Sequence, residues 1–195
     1  MIRCYAFFNQ TMPTPELRRV AGPHRSVVSR RINDQLDHLP TLSVRTTLEI
    51  CVDDLATAQA YAVRLADQAA TVLCIEEHVL FDEGLDENSI KGVFLFRRKP
   101  DMEVAEFQNY WRTQHGPMVL RTPGVQRYVQ CHVIPESYDD GEPAYDGITE
   151  LYWSSYAAAV RSMASDEMIV EQASDASNFV ASDSVEVVLM HEDVP

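Results

Sequence analysis

Two separated stretches of this chain repeat each other, and that repeat limits the possible folds more than any other feature. MIRCYAFF at the start is matched by SIKGVFLF, with Ile2 and Ile90 88 positions apart, and LEICVDDLATA is matched by TELYWSSYAAA, with Val52 and Trp153 101 positions apart. The first pair are short runs rich in apolar and aromatic residues, as strands are. The second pair pass from such a run through Asp53-Asp54 or Ser154-Ser155 into an alanine-rich stretch, as a strand does when a capped helix follows it. The chain is therefore expected to hold two similar halves, residues 1–85 and 89–195, joined by the acidic connection Asp82–Asn88. The spacing between matched pieces is 13 residues shorter in the first half, so that half is expected to have lost or reduced one strand.

In the second half the order reads strand (Ile90–Phe96), helix, strand (Val125–Ile134), strand (Ile148–Trp153), one or two helices (from Tyr156 to about Val180) and strand (Ser184–His191). That is the ferredoxin-like order. In the first half, strands are expected at Ile2–Phe8, Leu42–Val52 and Ala70–Phe81, with helices after Thr14-Pro15 and over Leu55 to about Asp67. Val28, Ile32, Leu36 and Leu39, spaced by four, four and three, suggest a further helix. A sheet with helices on one face must bury its other face, and a second such sheet in the same chain can supply the partner. The expected fold class is α+β: two ferredoxin-like halves in one chain, forming a barrel of antiparallel strands with helices outside.

The densest chemistry lies in PDMEVAEFQNYWRTQHGPMVLRTPGVQRYVQCHVI, residues Pro100–Ile134. Asp101 can cap a helix whose side Val104, Phe107, Trp111 and His115 share at steps of three, four and four. Pro117 has no amide hydrogen and restricts Gly116, so the helix should end or kink there, leaving His115 at the rim of the core. An imidazole in that position is either a general acid/base or a group that only closes the helix. On the following strand, Tyr128, Gln130 and His132 alternate onto one face.

Phe107, Tyr110, Trp111, His115 and Pro117, followed by PGVQRYVQ (123–130) and His132-Val133, resemble the pattern of the EthD domain, in which a tryptophan precedes a His-small-Pro triplet. Tyr145-Asp146-Gly147, Glu150-Leu151, Asp175 and Phe179 extend the likeness over about half the chain, from Ile90 to Glu192, with Gly116 in place of the family's usual alanine. The resemblance implies a dimeric α+β barrel, here completed within one chain, and chemistry like that of cofactor-free dehydratases and relatives of lactone isomerases and cyclases that act on aromatic or polyketide-like molecules. His115 is then the expected acid/base. Tyr128 and His132 are candidate catalytic helpers, and Tyr110, Trp111, Tyr145, Asp146 and Glu150 are candidate substrate contacts. His24, in AGPHRSVV, falls near the position of His115 in the repeat but has no tryptophan four residues earlier, so one working pocket per chain is expected.

Other classes find less support. A net charge of −14 disfavours nucleic acid and anionic membranes as partners. Cys4, Cys51, Cys74 and Cys131 stand singly in apolar runs, as buried thiols of a reducing compartment do, and no signal peptide or membrane span is evident. A cytoplasmic protein with a small-molecule substrate is expected. Whole chains could also pair as a homodimer. No His-Glu-x-x-His, Gly-x-Ser-x-Gly or glycine-rich phosphate loop occurs, so no metal and no cofactor are expected. Two alternatives stay open: a non-catalytic carrier or accessory protein with an aromatic pocket, and a haem protein using one histidine. The acidic loop Pro135–Pro143 could cover a site.

Overall fold

The computed structural model describes residues 1–32, 42–139 and 141–193. Eight antiparallel strands close a barrel: β1 (Ile2–Phe8), β2 (Ser26–Arg31), β3 (Thr46–Val52), β4 (Thr71–Asp82), β5 (Ile90–Phe96), β6 (Arg127–Val133), β7 (Gly147–Trp153) and β8 (Glu186–Glu192). Around the barrel they run β1-β3-β2-β8-β5-β7-β6-β4. Within each half the sheet order is therefore fourth, first, third, second strand, which is the ferredoxin-like order made twice. The halves join along two seams. β4 pairs with β6 from Ile75–Val133 to Asp82–Arg127, and β2 pairs with β8 along the shorter stretch Ser29–Arg31.

The first half keeps all four strands, so none is lost, although β2, with six residues, is shorter than the other three of its half. Ser26–Arg31 is a strand, so Val28 and Ile32 do not belong to a helix. Val28 is buried against Leu48 and Ile50 under α1 (Thr14–Ala21) and α2 (Leu55–Leu65), while Leu36 and Leu39 fall outside the described residues. The step of four that suggested a helix also places two residues on one face of a strand, and pairing with β3 decides between the two. The shortening lies partly in the first helix: Thr14–Ala21 stands where the second half runs from Val104 to Val119.

Strand alternation sorts the side chains into two cores. Inward-facing Tyr5, Phe7, Ile75, Val93, Leu95 and Ile148 are among those that fill the barrel. Outward-facing residues meet the helices, which in the second half are α3 (Val104–Tyr110), α4 (Gly116–Val119), α5 (Tyr156–Met163) and α6 (Ala173–Ala176). Asp54 and Ser155 cap α2 and α5 as expected, accepting from the Thr57 and Ala158 amides at 2.8 and 3.2 Å. Glu103, not Asp101, holds the N-cap of α3. Among the described residues, no helix is long and apolar enough to cross a membrane.

The expected stop at Pro117 takes another form. α3 continues through a π-helical turn, Trp111–His115, and then through α4, with the Gly116 amide donating to the Trp111 carbonyl five residues back. In unbroken α-geometry the proline ring would meet the carbonyl four residues before it, at Thr113. Widening the turn just upstream removes that conflict without ending the helix.

Candidate functional site

Trp111 fixes where the π-turn sits. Its indole is fully buried, stacks on His132 at 4.5 Å between centroids, and meets Phe96 edge-on at 4.9 Å. Gly147 of β7 lies beneath it, and a Cβ there would come within 2.7 Å of the indole. From the sheet, the Gln130 amide donates to the Trp111 carbonyl at 3.0 Å and to the Tyr128 hydroxyl at 2.6 Å. The carbonyl at the start of the π-turn is thus held from both sides, by Gly116 and by Gln130. The turn carries His115 to a wall facing α6.

His115 is 9% exposed, and its Nδ1 lies 2.9 Å from Asp175 Oδ2. A carboxylate can only accept, so Nδ1 carries the proton and Nε2 presents its lone pair. Among the described residues Nε2 has no hydrogen-bond partner, and it is not one of the polar atoms sealed from solvent. The other Asp175 oxygen accepts from the Tyr110 hydroxyl at 2.8 Å and from the Asn178 amide at 3.4 Å. Phe179 packs on the imidazole at 5.1 Å. Burial lowers the His115 pKa below the ordinary histidine value, and Asp175 opposes part of that shift. The resting ring is neutral at neutral pH and can accept a proton, which Asp175 would then help to hold.

His115 lines a cavity of about 510 Å³ between the π-turn and α4, the outer faces of β5, β7 and β8, and the chain from Met163 to Val187. Phe94, Phe96, Leu151, Met163, Phe179 and Val187 make much of its wall. Among the described residues its polar lining is His115, Thr149, Gln172, Ser177 and Ser182, and no described lining residue is Lys, Arg, Asp or Glu. The size falls within the usual range for small-molecule sites. A second π-helical turn, Glu167–Gln172, forms part of the wall, tied down by Gln172 Nε2 to Thr122 Oγ1 at 2.6 Å.

Of the candidate catalytic and substrate-contact residues, only His115 and Trp111 line this cavity among the described residues. Tyr110 reaches it indirectly, through Asp175. Tyr128 and His132 share a face as expected, but that face lies under Trp111, outside the cavity. The tyrosine hydroxyl is held by Gln130, and His132 Nε2 donates to Gln130 Oε1 at 3.0 Å. Burial, then His78 and Arg112, push the His132 pKa down to about 3, so this ring stays neutral. Tyr145 donates to Glu186, and Asp146 accepts from Arg98 and from the Tyr138 hydroxyl, so both are structural contacts away from the cavity. Glu150 points into the barrel because alternation along β7 turns it away from Thr149, and it pairs there with Lys91 at 2.8 Å. No described residue of the 135–143 loop lines the cavity, so the covering elements are the helices after α5 instead.

Asp175 and Thr149 were not read as site residues from the sequence. Asp175 stands four before Phe179, a spacing that puts both on one helical side, and this is the signal that could have joined it to His115. Among the described residues no three His, Cys, Asp or Glu side chains are placed to hold a metal ion.

Residues 99–183 match the EthD domain family. No curated protein matches the chain in sequence. Solved structures share the fold at low identity. An anthrone oxidase-like protein is 13% identical, with 99% of this chain and 91% of that one covered at a TM-score of 0.62. A candidate monooxygenase from Lactobacillus acidophilus is 12% identical, with 99% and 93% covered at 0.56. A dye-decolorizing peroxidase from Bacteroides thetaiotaomicron is 7% identical, with 97% and 92% covered at 0.53.

Proposed function

From the EthD domain in the second half of the chain, we propose that this protein is a cofactor-independent lyase or isomerase acting on a small, hydrophobic, oxygenated molecule, with His115 as general acid/base. The observation that carries this reading is the bond from His115 Nδ1 to Asp175 Oδ2 at the wall of an apolar cavity. That bond fixes the tautomer, leaves Nε2 as the proton acceptor, and places a carboxylate where it stabilises the imidazolium once formed. Burial keeps the ring neutral until substrate arrives. After taking a proton from carbon beside a carbonyl, the imidazolium can return it to a leaving hydroxyl, which expels water, or to another carbon, which isomerises the substrate. Aromatic walls suit a flat ligand, and the exclusion of water strengthens each polar contact the ligand makes.

The test is a thermal-shift screen of aromatic hydroxy-ketones and lactones on the wild type and on His115→Ala, with mass spectrometry of every compound that stabilises the protein. A ligand that stabilises both but is dehydrated or isomerised only by the wild type establishes His115 as catalytic. A ligand bound by both and changed by neither makes the cavity a carrier site and ends the enzyme reading.

A further inference from the structure

Several of the other polar side chains that line the cavity already have a role or an outlet: Gln172 donates one amide hydrogen to Thr122, Ser177 donates to the Ser174 carbonyl at 2.6 Å, and Ser182 is exposed to solvent. Thr149 differs from these. It sits on the outer face of β7, flanked by Phe94 of β5 and Gln130 of β6, and is only partly buried. Among the described residues its hydroxyl has no hydrogen-bond partner, and it is not among the sealed polar atoms, so it opens into the cavity it lines. His115 Nε2, with Nδ1 carrying the proton, can only accept. Thr149 is therefore the donor that the barrel wall offers to a ligand.

We propose that Thr149 recognises a carbonyl oxygen, and that the site takes an uncharged, flat aromatic ketone with an acidic C–H next to the carbonyl. The chemical step rests on the reading of His115 as a base, whereas recognition by Thr149 stands on the cavity alone. In that step the C–H bond breaks and its proton goes to His115 Nε2. The freed electron pair forms the C=C bond, and the carbonyl π pair moves onto oxygen, where the Thr149 hydroxyl donates to the growing negative charge. Such a donor strengthens as charge develops, so it favours the transition state over the bound ketone. No described residue of the lining is Lys or Arg, which disfavours a carboxylate or phosphate on the part of the ligand that enters.

Two assays separate the claims. Binding of fluorenone and fluorene, which share a tricyclic skeleton and differ by the carbonyl, is measured by titration against the wild type, Thr149→Val and His115→Gln. The wild type should prefer fluorenone by about 2- to 10-fold, the worth of one neutral hydrogen bond. Thr149→Val should lose the preference, His115→Gln should keep it, and fluorenone-4-carboxylate should bind more weakly than fluorenone. Equal binding of the pair by the wild type, a preference that survives Thr149→Val, or no binding of either compound would overturn the assignment. Deuterium exchange into 2-tetralone then reads the chemical step. If both substitutions slow it, Thr149 and His115 act on one molecule. If the fluorenone preference behaves as stated but His115→Gln leaves exchange unchanged, the base reading fails while carbonyl recognition by Thr149 stands.

Discussion

At the scale of single residues, the two histidines of the Trp111 region show how burial without a carboxylate differs from burial with one. His132 is stacked on Trp111 and faces His78 at 4.6 Å, so nothing near it rewards a positive charge. Its folded pKa of about 3 lies below the unfolded value, so its contribution to stability is present above about pH 6.5 and is lost as pH falls toward 3. In that window the unfolded chain binds one more proton than the native one at this site, with a slope of at most about 1.4 kcal/mol per pH unit. Denaturant unfolding of His132→Phe across pH 3.5–7 should show a shallower acid decline than the wild type, and an unchanged slope would place the acid sensitivity elsewhere. His115 is also shifted downward, but Asp175 offsets part of the cost, so the rate of any base-catalysed reaction should rise with pH along a limb centred below the ordinary histidine value. Asp175→Asn should cut the rate by up to about 10⁴-fold, the loss seen when the carboxylate that orients a catalytic histidine becomes an amide, because the amide can face Nδ1 with either its oxygen or its nitrogen and no longer fixes the tautomer. A pH–rate profile that is the same with and without Asp175 would count against the dyad. The sequence disclosed His115, Trp111 and their common helix face. Asp175 lies 60 residues further on, and only the folding of α6 over the π-turn brings it within reach.

The elements that position the site depend on close approach between helix and sheet. Trp111 lies flat on Gly147 because β7 has no Cβ there, and the first atoms a methyl would meet belong to Trp111 at 2.7 Å and Phe96 at 2.9 Å. The indole is packed on its other sides by Phe107 and His132, so making room for a methyl means repacking these rings. Gly147→Ala should therefore destabilise the protein by about 1–3 kcal/mol, as overpacking of a filled core does, and should move α3 enough to lower ligand affinity in the adjoining cavity. Chemical denaturation and titration of one cavity ligand check the two parts, and an alanine variant with wild-type stability would mean that the indole can shift. Gly116 has a related reason: a Cβ there would come within 2.8 Å of the Leu80 side chain on β4. These glycines, the strand alternation and the caps at Asp54 and Ser155 were all present in the sequence. The π-turn was not, because Pro117 announces a conflict with α-geometry without saying whether the chain stops, kinks or widens. The β2 strand was hidden for a different reason, since its apolar spacing fits a helix as well and its strand character comes from pairing with β3 and β8.

Across the whole molecule, the repeat reappears as an ion network on the barrel interior that joins the two halves. Arg3 and Lys91 occupy matching places in the repeated first strands, and Glu49 and Glu150 do so in the repeated third strands. Arg3 bonds Glu49 of its own half at 2.5 Å and reaches Glu150 of the other at 3.3 Å, while Lys91 bonds Glu150 at 2.8 Å and crosses to Glu49. Each cation thus serves both halves, and each carboxylate receives both cations. Burial costs every member several kcal/mol of hydration, so the network adds little net stability over apolar packing, but losing one member leaves an uncompensated charge behind. Lys91 is fully buried, and its pKa stands well above the usual lysine value because Glu150 and Glu49 outweigh the cost of burial. Lys91→Met should destabilise the chain by about 3–5 kcal/mol, since Glu49 and Glu150 would then be left with only Arg3, which also pairs with Glu77 at 2.6 Å. Adding Glu150→Gln to that variant should recover part of the loss by removing the surplus negative charge, whereas Glu150→Gln alone should destabilise. A double-mutant cycle by chemical denaturation measures the coupling. Additive effects would show that Lys91 and Glu150 act separately, strong coupling would show that this buried pair of the second half acts as a unit, and the same cycle run on Lys91 and Glu49 reads the pairing across the halves. This also explains why Glu150, which the sequence offered as a substrate contact, serves the barrel instead: one step along β7 separates the face that binds the two halves together from the face where Thr149 meets the cavity.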